Sequence, residues 1–357
     1  MTDNTWPTVD TELIDDVTLY SAKLIIPVTG PVIIDGAVAI HGDRVVHVGK
    51  RRWVLKALKQ EMTAHGTIHE RHWDGVLTPG LVNAHTHLQY SGMVQVGQGT
   101  YDRFRAWELA FNEVYAEAQK TQPWKQWAED GARQMVESGT TAAADIVTDL
   151  DAAGALASQG MHGIAYWEVM GWHNAEWMEK GRTELIRQLR RMNEEQLPNL
   201  GISPHAPYTL ESEPFVDLPD IARQLNMRLH IHLAETPLEA GTYPPVLTTY
   251  SASDWRDHDW ESYRQLKDVG KGASAIQFVD QLGSLGPDVH IAHGVWANSE
   301  DRRILRQRGV GVALCPRSNR ITNTGKDAPV REYLEEGNLV SVGTDSLSST
   351  PTLDLLD

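Results

Sequence analysis

With 357 residues, 41% of them apolar, the chain can bury the core of one large α/β barrel or of two ordinary domains, which excludes a disordered segment. Its 32 Lys and Arg against 48 Asp and Glu leave a net charge of −16, a field that repels phosphate backbones, argues against nucleic acid as a partner and suits a small neutral or cationic molecule. A single cysteine, Cys315, can form no internal disulfide, in keeping with a reducing cytoplasm.

The first residues, Met1 to Pro7, are acidic and polar, without the basic and apolar stretches of a signal peptide. No run of about eighteen apolar residues occurs, so no membrane span is expected and a cytoplasmic location is. Internal repeats and low-complexity tracts are absent from the sequence. Residues from Thr18 to Trp73 read as short strands with turns, a small β module over 1–75. Its clearest unit is Ala37 to His41, Gly42-Asp43, Arg44 to Val48, a hairpin whose first loop residue is the glycine that a type II′ turn wants. His41, His47, His65, His69 and His72 in this module have no ligand-like spacing and read as exposed side chains.

From Val76 the pattern becomes strand then helix, repeated. The first strand ends in Pro79-Gly80-Leu81-Val82-Asn83-Ala84-His85-Thr86-His87, where side-chain alternation sends both imidazoles the same way. Phe104, Trp107, Phe111 and Val114 then recur at helical spacing, as do Leu185, Ile186, Leu189 and Met192 further on. Asn298-Ser299-Glu300-Asp301 opens a helix with a capping residue and first-turn acids, and Gly309 ends it. Strands starting near Val76, Thr140, Gly163, Leu200, Met227, Val289, Val310 and Leu339 make eight, alternating with helices. That is the pattern of a (β/α)8 TIM-type barrel over 76–357, with active groups at the C-terminal strand ends. A doubly wound open sheet is the alternative, but no Gly-rich phosphate loop accompanies it. The long connection from Thr236 to Gly286 reads either as a cover over the barrel mouth or as a surface excursion.

Two imidazoles are too few to hold a divalent metal, and an isolated His-x-His is as readily a solvated pair. Strand ends supply the rest: His232 closes the fifth strand, His293 the sixth and Asp345 the eighth, with Glu235 just past His232. His85, His87, His232 and Asp345 together would make a centre for one metal with room for a water. This combination resembles the amidohydrolase superfamily, in its mononuclear deaminase and chlorohydrolase branch. The resemblance is carried by the segment ending in His87, by His232-Leu233-Ala234-Glu235-Thr236, Ala292-His293-Gly294, Cys315-Pro316-Arg317-Ser318-Asn319 and Gly343-Thr344-Asp345, and runs from about Val76 to the last residue.

The resemblance implies His85, His87, His232 and Asp345 as ligands of one divalent ion, zinc first and iron second. It also implies Glu235 as proton shuttle and His293 as the group orienting the metal-bound hydroxide, with Asp345 accepting the water's proton. Two-metal branches carry a lysine at the end of the fourth strand; Ser203-Pro204-His205-Ala206-Pro207 stands there instead. His205 is a substrate-binding candidate, or bonds a neighbouring loop. Trp107 lines the pocket or belongs to the apolar stripe. Arg317 and Asn319 hold a polar group of the substrate or sit in a solvated loop. Glu168, ending the third strand, faces the pocket or pairs with an arginine, and Cys315 reads as a buried thiol rather than a nucleophile.

The expected activity is hydrolytic release of ammonia from an amino-substituted purine, pyrimidine or triazine. The alternatives are dechlorination or ring amide or guanidine hydrolysis at the same site, and an inactive metal-binding fragment. A homo-oligomer is compatible with the sequence. Thr350-Pro351 marks a start for the last helix, which the remaining residues cannot complete, so the closing segment reads as missing, as in a fragment or a chain covered by another.

Overall fold

A computed structural model describes residues 13–194, 197, 199–241 and 272–357. It divides into two compact units, Met1–Gly80 and Leu81–Asp357. In the first, β1 (Ile14–Ile25), β2 (Ile33–His41), β3 (Arg44–Lys50) and β4 (Met62–Leu77) form a sheet in the order β3-β2-β1-β4. Alternate residues Val17 and Leu19 of β1 and Ala37 and Ala39 of β2 are buried on one face, where α1 (Arg51–Glu61) sets Val54 and Leu58 against them one helical turn apart. This helix lies in a stretch expected to be strands and turns. Its apolar stripe is only two buried residues among arginines and lysines, too sparse to show as a period. The β2–β3 turn forms as expected, with Gly42 at φ +59. Of the module's five histidines, four are exposed and His47 pairs with Glu61 at 2.7 Å.

In the second unit β5 (Leu81–Thr86), β6 (Thr140–Val147), β7 (His162–Val169), β8 (Leu200–Pro204), β9 (Arg228–Leu233), β10 (Val289–His293), β11 (Gly311–Leu314) and β12 (Leu339–Val342) run parallel, each beside its neighbour in sequence. This is the (β/α)8 barrel. Its first strand starts at Leu81 rather than near Val76, because residues to Leu77 belong to β4, and Pro79, with no N–H to give a ladder, separates the two. The expected helical stripes lie on α2 (Phe104–Thr121) and α4 (Arg182–Glu194), between which α3 (Trp124–Glu137) adds Ala128, Ala132 and Met135 to the core. α5 (Ser212–Gln224), α6 (Ala275–Gln281) and α7 (Ser299–Arg308) follow. Asn298 and Asp301 exchange caps at the start of α7, and Gly309 ends it at φ +71. Strand residues such as Ile202, Leu229, Ile231, Ile291 and Val312 are fully buried.

Closure between β5 and β12 rests on the Asn83 amide together with a backbone bond. Asn83 accepts from the Thr344 N–H (3.0 Å) and donates to its hydroxyl (2.6 Å), and the Asp345 N–H reaches the His85 carbonyl at 2.9 Å. Gly343 permits the approach: a Cβ there would come within 2.8 Å of the Cβ of His85. After Asp345 the expected helix at Thr350-Pro351 does not form. The Ser349 and Thr350 N–H groups fold back to the Ser346 carbonyl as a turn, and a few residues are too short a run to hold a helix without packing. Most of the long connection read as a cover, residues 242–271, lies outside the described residues. Among the described residues no helix is long and apolar enough to cross a membrane.

Candidate metal centre and active site

β5 carries His85 and ends at Thr86, with His87 one residue past the strand, and the pleat of β9 directs His230 and His232 to one side. All four are buried. Burial and neighbouring imidazoles hold His85 and His232 well below the usual imidazole range, and burial takes His87 down to about 4, so these rings carry lone pairs rather than charge. His232 Nδ1 lies 3.2 Å from the His205 carbonyl, which fixes the proton there and leaves Nε2 bare. That Nε2 faces the Nε2 of His87 at 3.2 Å.

Asp345 Oδ1 lies 3.7 Å from both His85 Nε2 and His87 Nε2. Two donors about 2.1 Å from one tetrahedral ion stand about 3.4 Å apart, which the His87–His232 separation of 3.2 Å and the two Asp345 separations of 3.7 Å resemble; ligand atoms lie within 4.8 Å of one another in two triads that share His85, one with His87 and Asp345 and one with His232 and His293. His85 Nε2 is buried without a hydrogen-bond partner among the described residues, a costly state for a ring nitrogen unless something is to be met there. The donor set of three imidazoles and a carboxylate therefore fits a divalent cation. Outside it, His85 Nδ1 meets His230 Nε2 at 3.0 Å, and Asp345 Oδ2 accepts from the Ser318 hydroxyl at 2.6 Å while the Ser346 N–H holds Oδ1 at 2.8 Å.

Two strand ends are strained. His293 and Asp345 sit at φ +74 and +63, a region non-glycine residues seldom occupy, as does Ala234 at +55. Those turns aim the side chains that follow β9, β10 and β12 across the barrel mouth. Glu235 Oε1 lies 3.5 Å from His293 Nε2, and the Tyr208 hydroxyl 3.5 Å from Glu235 Oε2. Burial, reinforced by the Asp345 charge, holds the Glu235 carboxyl well above the usual carboxylate range, which favours its protonated form. Asn319 Oδ1 meets His293 Nδ1 at 3.0 Å and orients that ring, rather than facing outward as a loop residue.

A cavity of about 190 Å3 at this end of the barrel is lined by His87, Trp107, His205, His232, Glu235, His293 and Asp345 among others. His205 both lines it and bonds Thr209 through Nδ1 at 2.8 Å, while Trp107 lines it and ties its indole N–H to the Ser348 carbonyl at 2.7 Å. Arg317 is not among the lining residues; its guanidinium turns to the Asp354 carbonyl and, at 3.5 Å, to the Asp357 carboxylate. Glu168 lines the cavity with no arginine partner among the described residues, its carboxyl raised by burial to about 8. Cys315 is buried and its thiol pushed well up by burial, an inert state.

Three supporting groups go unremarked in a search for ligands. His230 repeats the His-x-His spacing of β5, so alternation alone places it behind His232. Glu239 takes the N–H groups of Ala234, Glu235 and Thr236 on its carboxylate (2.8, 2.9 and 3.0 Å), and Thr236-Pro237-Leu238-Glu239 carries the capping-box spacing. Nothing in its local sequence marks Ser318.

Residues 76–357 match the model of the amidohydrolase family. The chain is 30% identical over 344 residues to a 5-methylthioadenosine/S-adenosylhomocysteine deaminase of Moorella thermoacetica, covering 93% of this chain and 70% of the relative. Across the curated relatives it matches, it spans 58 to 70% of their length. Two solved structures share the fold: an adenosine deaminase of Xanthomonas campestris with bound zinc (TM-score 0.70, 21% identity, 96% of this chain and 72% of that one) and the zinc complex of an atrazine chlorohydrolase of Arthrobacter aurescens (TM-score 0.74, 19% identity, 95% and 74%). With a family model spanning the whole barrel and a motif at each of its functional strand ends, the chain belongs to the amidohydrolase family.

Proposed function

We propose that the protein is a metal-dependent hydrolase that removes the amino group of an amino-substituted heterocycle, of the adenine nucleoside type on which its relatives are named, as ammonia. The observation that carries this reading is the gathering of His85, His87, His232 and Asp345 at one end of the barrel, with the Glu235–His293 pair beside them. His85, His87, His232 and Asp345 would hold a single divalent ion, zinc by preference and iron as second choice, since imidazole and carboxylate suit both. Such an ion supplies hydroxide near neutral pH by lowering the pKa of water to about 7. The chain's own groups do the rest.

Glu235, whose protonated form burial favours, would donate to a ring nitrogen of the heterocycle, so that electron density leaves the adjacent carbon as it is attacked. Asp345, held through Oδ2 by the Ser318 hydroxyl and through Oδ1 by the Ser346 N–H, would be the carboxylate that accepts a proton from water. His293, held by Asn319, presents Nε2 to the same space and orients the attacking oxygen. The aromatic wall of Tyr90, Phe104, Trp107 and Phe111 suits a flat ring. The small-molecule substrate, the acidic charge and the absence of a membrane-crossing helix among the described residues are together compatible with a cytoplasmic enzyme.

Ammonia release from a panel of amino-heterocycles, alongside chloride release from chlorotriazines, tests the reading. Ammonia from an adenine nucleoside supports it. Chloride with no ammonia from any member replaces deamination by the dechlorination that one structural neighbour is named for. Glu235→Gln is expected to lower kcat about 10²- to 10⁴-fold with metal content unchanged.

A further inference from the structure

A second cavity, of about 480 Å3, lies beside the one holding the converging donors. Tyr90, Phe111, Asn112, Glu168 and Met170 line both. The outer walls of this side cavity are the rings of Tyr115, Trp167 and Trp172, and its remaining polar side chains include the hydroxyl of Thr148, the carboxylate of Glu184 and the amide of Gln188. Among the described residues no lysine or arginine lines it; the Lys180 ammonium lies over the Trp172 ring, 5.8 Å from its centre, outside the lining. Two of its polar atoms are buried without a hydrogen-bond partner among the described residues: Glu168 Oε1, which faces His232 Nδ1 at 3.9 Å on a side chain 4% exposed, and Gln188 Nε2. Buried polar atoms are almost always paired, so an unpaired acceptor and an unpaired donor in one cavity mark a place for a ligand's polar groups.

From this geometry we infer that the side cavity binds the part of the substrate remote from the reacting heterocycle, and that it admits apolar, flat or cationic groups while rejecting anionic ones. The inference rests on the deaminase reading for the head group and adds the identity of the tail. Aromatic faces attract cations and stack on flat groups. An anion would have to leave water for a space where no cation lines the wall and where the Glu184 carboxylate stands at the rim. The net charge of −16 acts in the same direction at longer range. The rule separates two tails that an adenine nucleoside can bear on its 5′ sulfur, an uncharged methyl group and an amino acid with its carboxylate.

The test is a series of 5′-thio-adenosines that differ only in the tail: methyl, aminopropyl, carboxyethyl and the full amino acid. With the metal-loaded enzyme, kcat/KM for the carboxyethyl compound is expected at least about tenfold below that for the methyl compound, and the aminopropyl compound at or above it. Glu184→Arg, a change at an exposed position, is expected to narrow the methyl-to-carboxyethyl gap, with circular dichroism and metal content confirming a folded protein. Equal kcat/KM across the series, or a gap that Glu184→Arg leaves unmoved, overturns the inference. If no member releases ammonia, the deaminase reading is what fails. Equilibrium binding of the same series, followed by the fluorescence of Trp167 and Trp172, then decides the cavity: the same order of tails supports it and an absence of order refutes it.

Discussion

An imidazole can hold a cation only through a bare ring nitrogen, so the partner of its other nitrogen matters as much as its position. For His232 that partner is the His205 carbonyl. For His85 it is another imidazole, His230, stacked at 4.9 Å between ring centres and itself stacked on His290 at 5.9 Å. His85 offers Nε2 to the site only if its Nδ1 carries the proton and donates to His230. Replacing His230 by Ala is therefore expected to weaken metal binding about 10- to 100-fold, measured by competition with a chelator of known affinity. Glutamine, whose amide oxygen can accept from Nδ1, should recover part of that loss. The unusual backbone of His293 and Asp345 belongs to the same scale: strain of this kind persists where the surroundings over-determine it, here through Asn319, Ser318, Ser346 and the Asp345 N–H to His85 carbonyl bond.

Among the elements, two short connections carry the active groups. The turn after β9 is held by the Glu239 carboxylate on three successive N–H groups, those of Ala234, Glu235 and Thr236. Glu239→Ala leaves all three buried and unpaired, at about 1–3 kcal/mol for each such group. A clear fall in the urea midpoint is expected, together with a loss of kcat, because Glu235 rides on that turn. The seam between β5 and β12 behaves alike. Asn83→Ala strands the Thr344 N–H and is expected to cost about 1–3 kcal/mol, read from chemical denaturation.

In the N-terminal sheet, Arg51 and the Ser21 hydroxyl bond the Glu70 carboxylate and lower its pKa from 4.5 to about 2. A folded pKa below the unfolded one stabilises the fold above pH 4.5, and this contribution fades as pH falls toward 2. Glu70 is partly exposed, so solvent screens the effect and the contribution is small. NMR titration of its side chain should give a midpoint near 2, and one near 4.5 would remove the pairing from the account.

The whole molecule shows which features a sequence makes legible. The barrel strands were readable because buried parallel strands are apolar runs with punctuation, and the site because its residues stand at the ends of those runs: His87, His232, His293 and Asp345 all do. Helix α1 was not readable, since two buried side chains set no period. Nor was the direction of Arg317, because a loop side chain chooses among partners, here Asp354 and Asp357, that lie far along the chain. Thr350-Pro351 carries a helix-start signal, but the Ser349 and Thr350 N–H groups turn back to the Ser346 carbonyl and no helix follows.

The central claim is that side chains from both ends of the barrel sequence hold one ion. A crystal structure of the protein loaded with zinc, phased at the zinc edge, tests it most directly. The account predicts a single anomalous peak within about 2.0–2.2 Å of His85, His87, His232 and Asp345. A structure with no peak there, or with the ion bound by other residues, contradicts it.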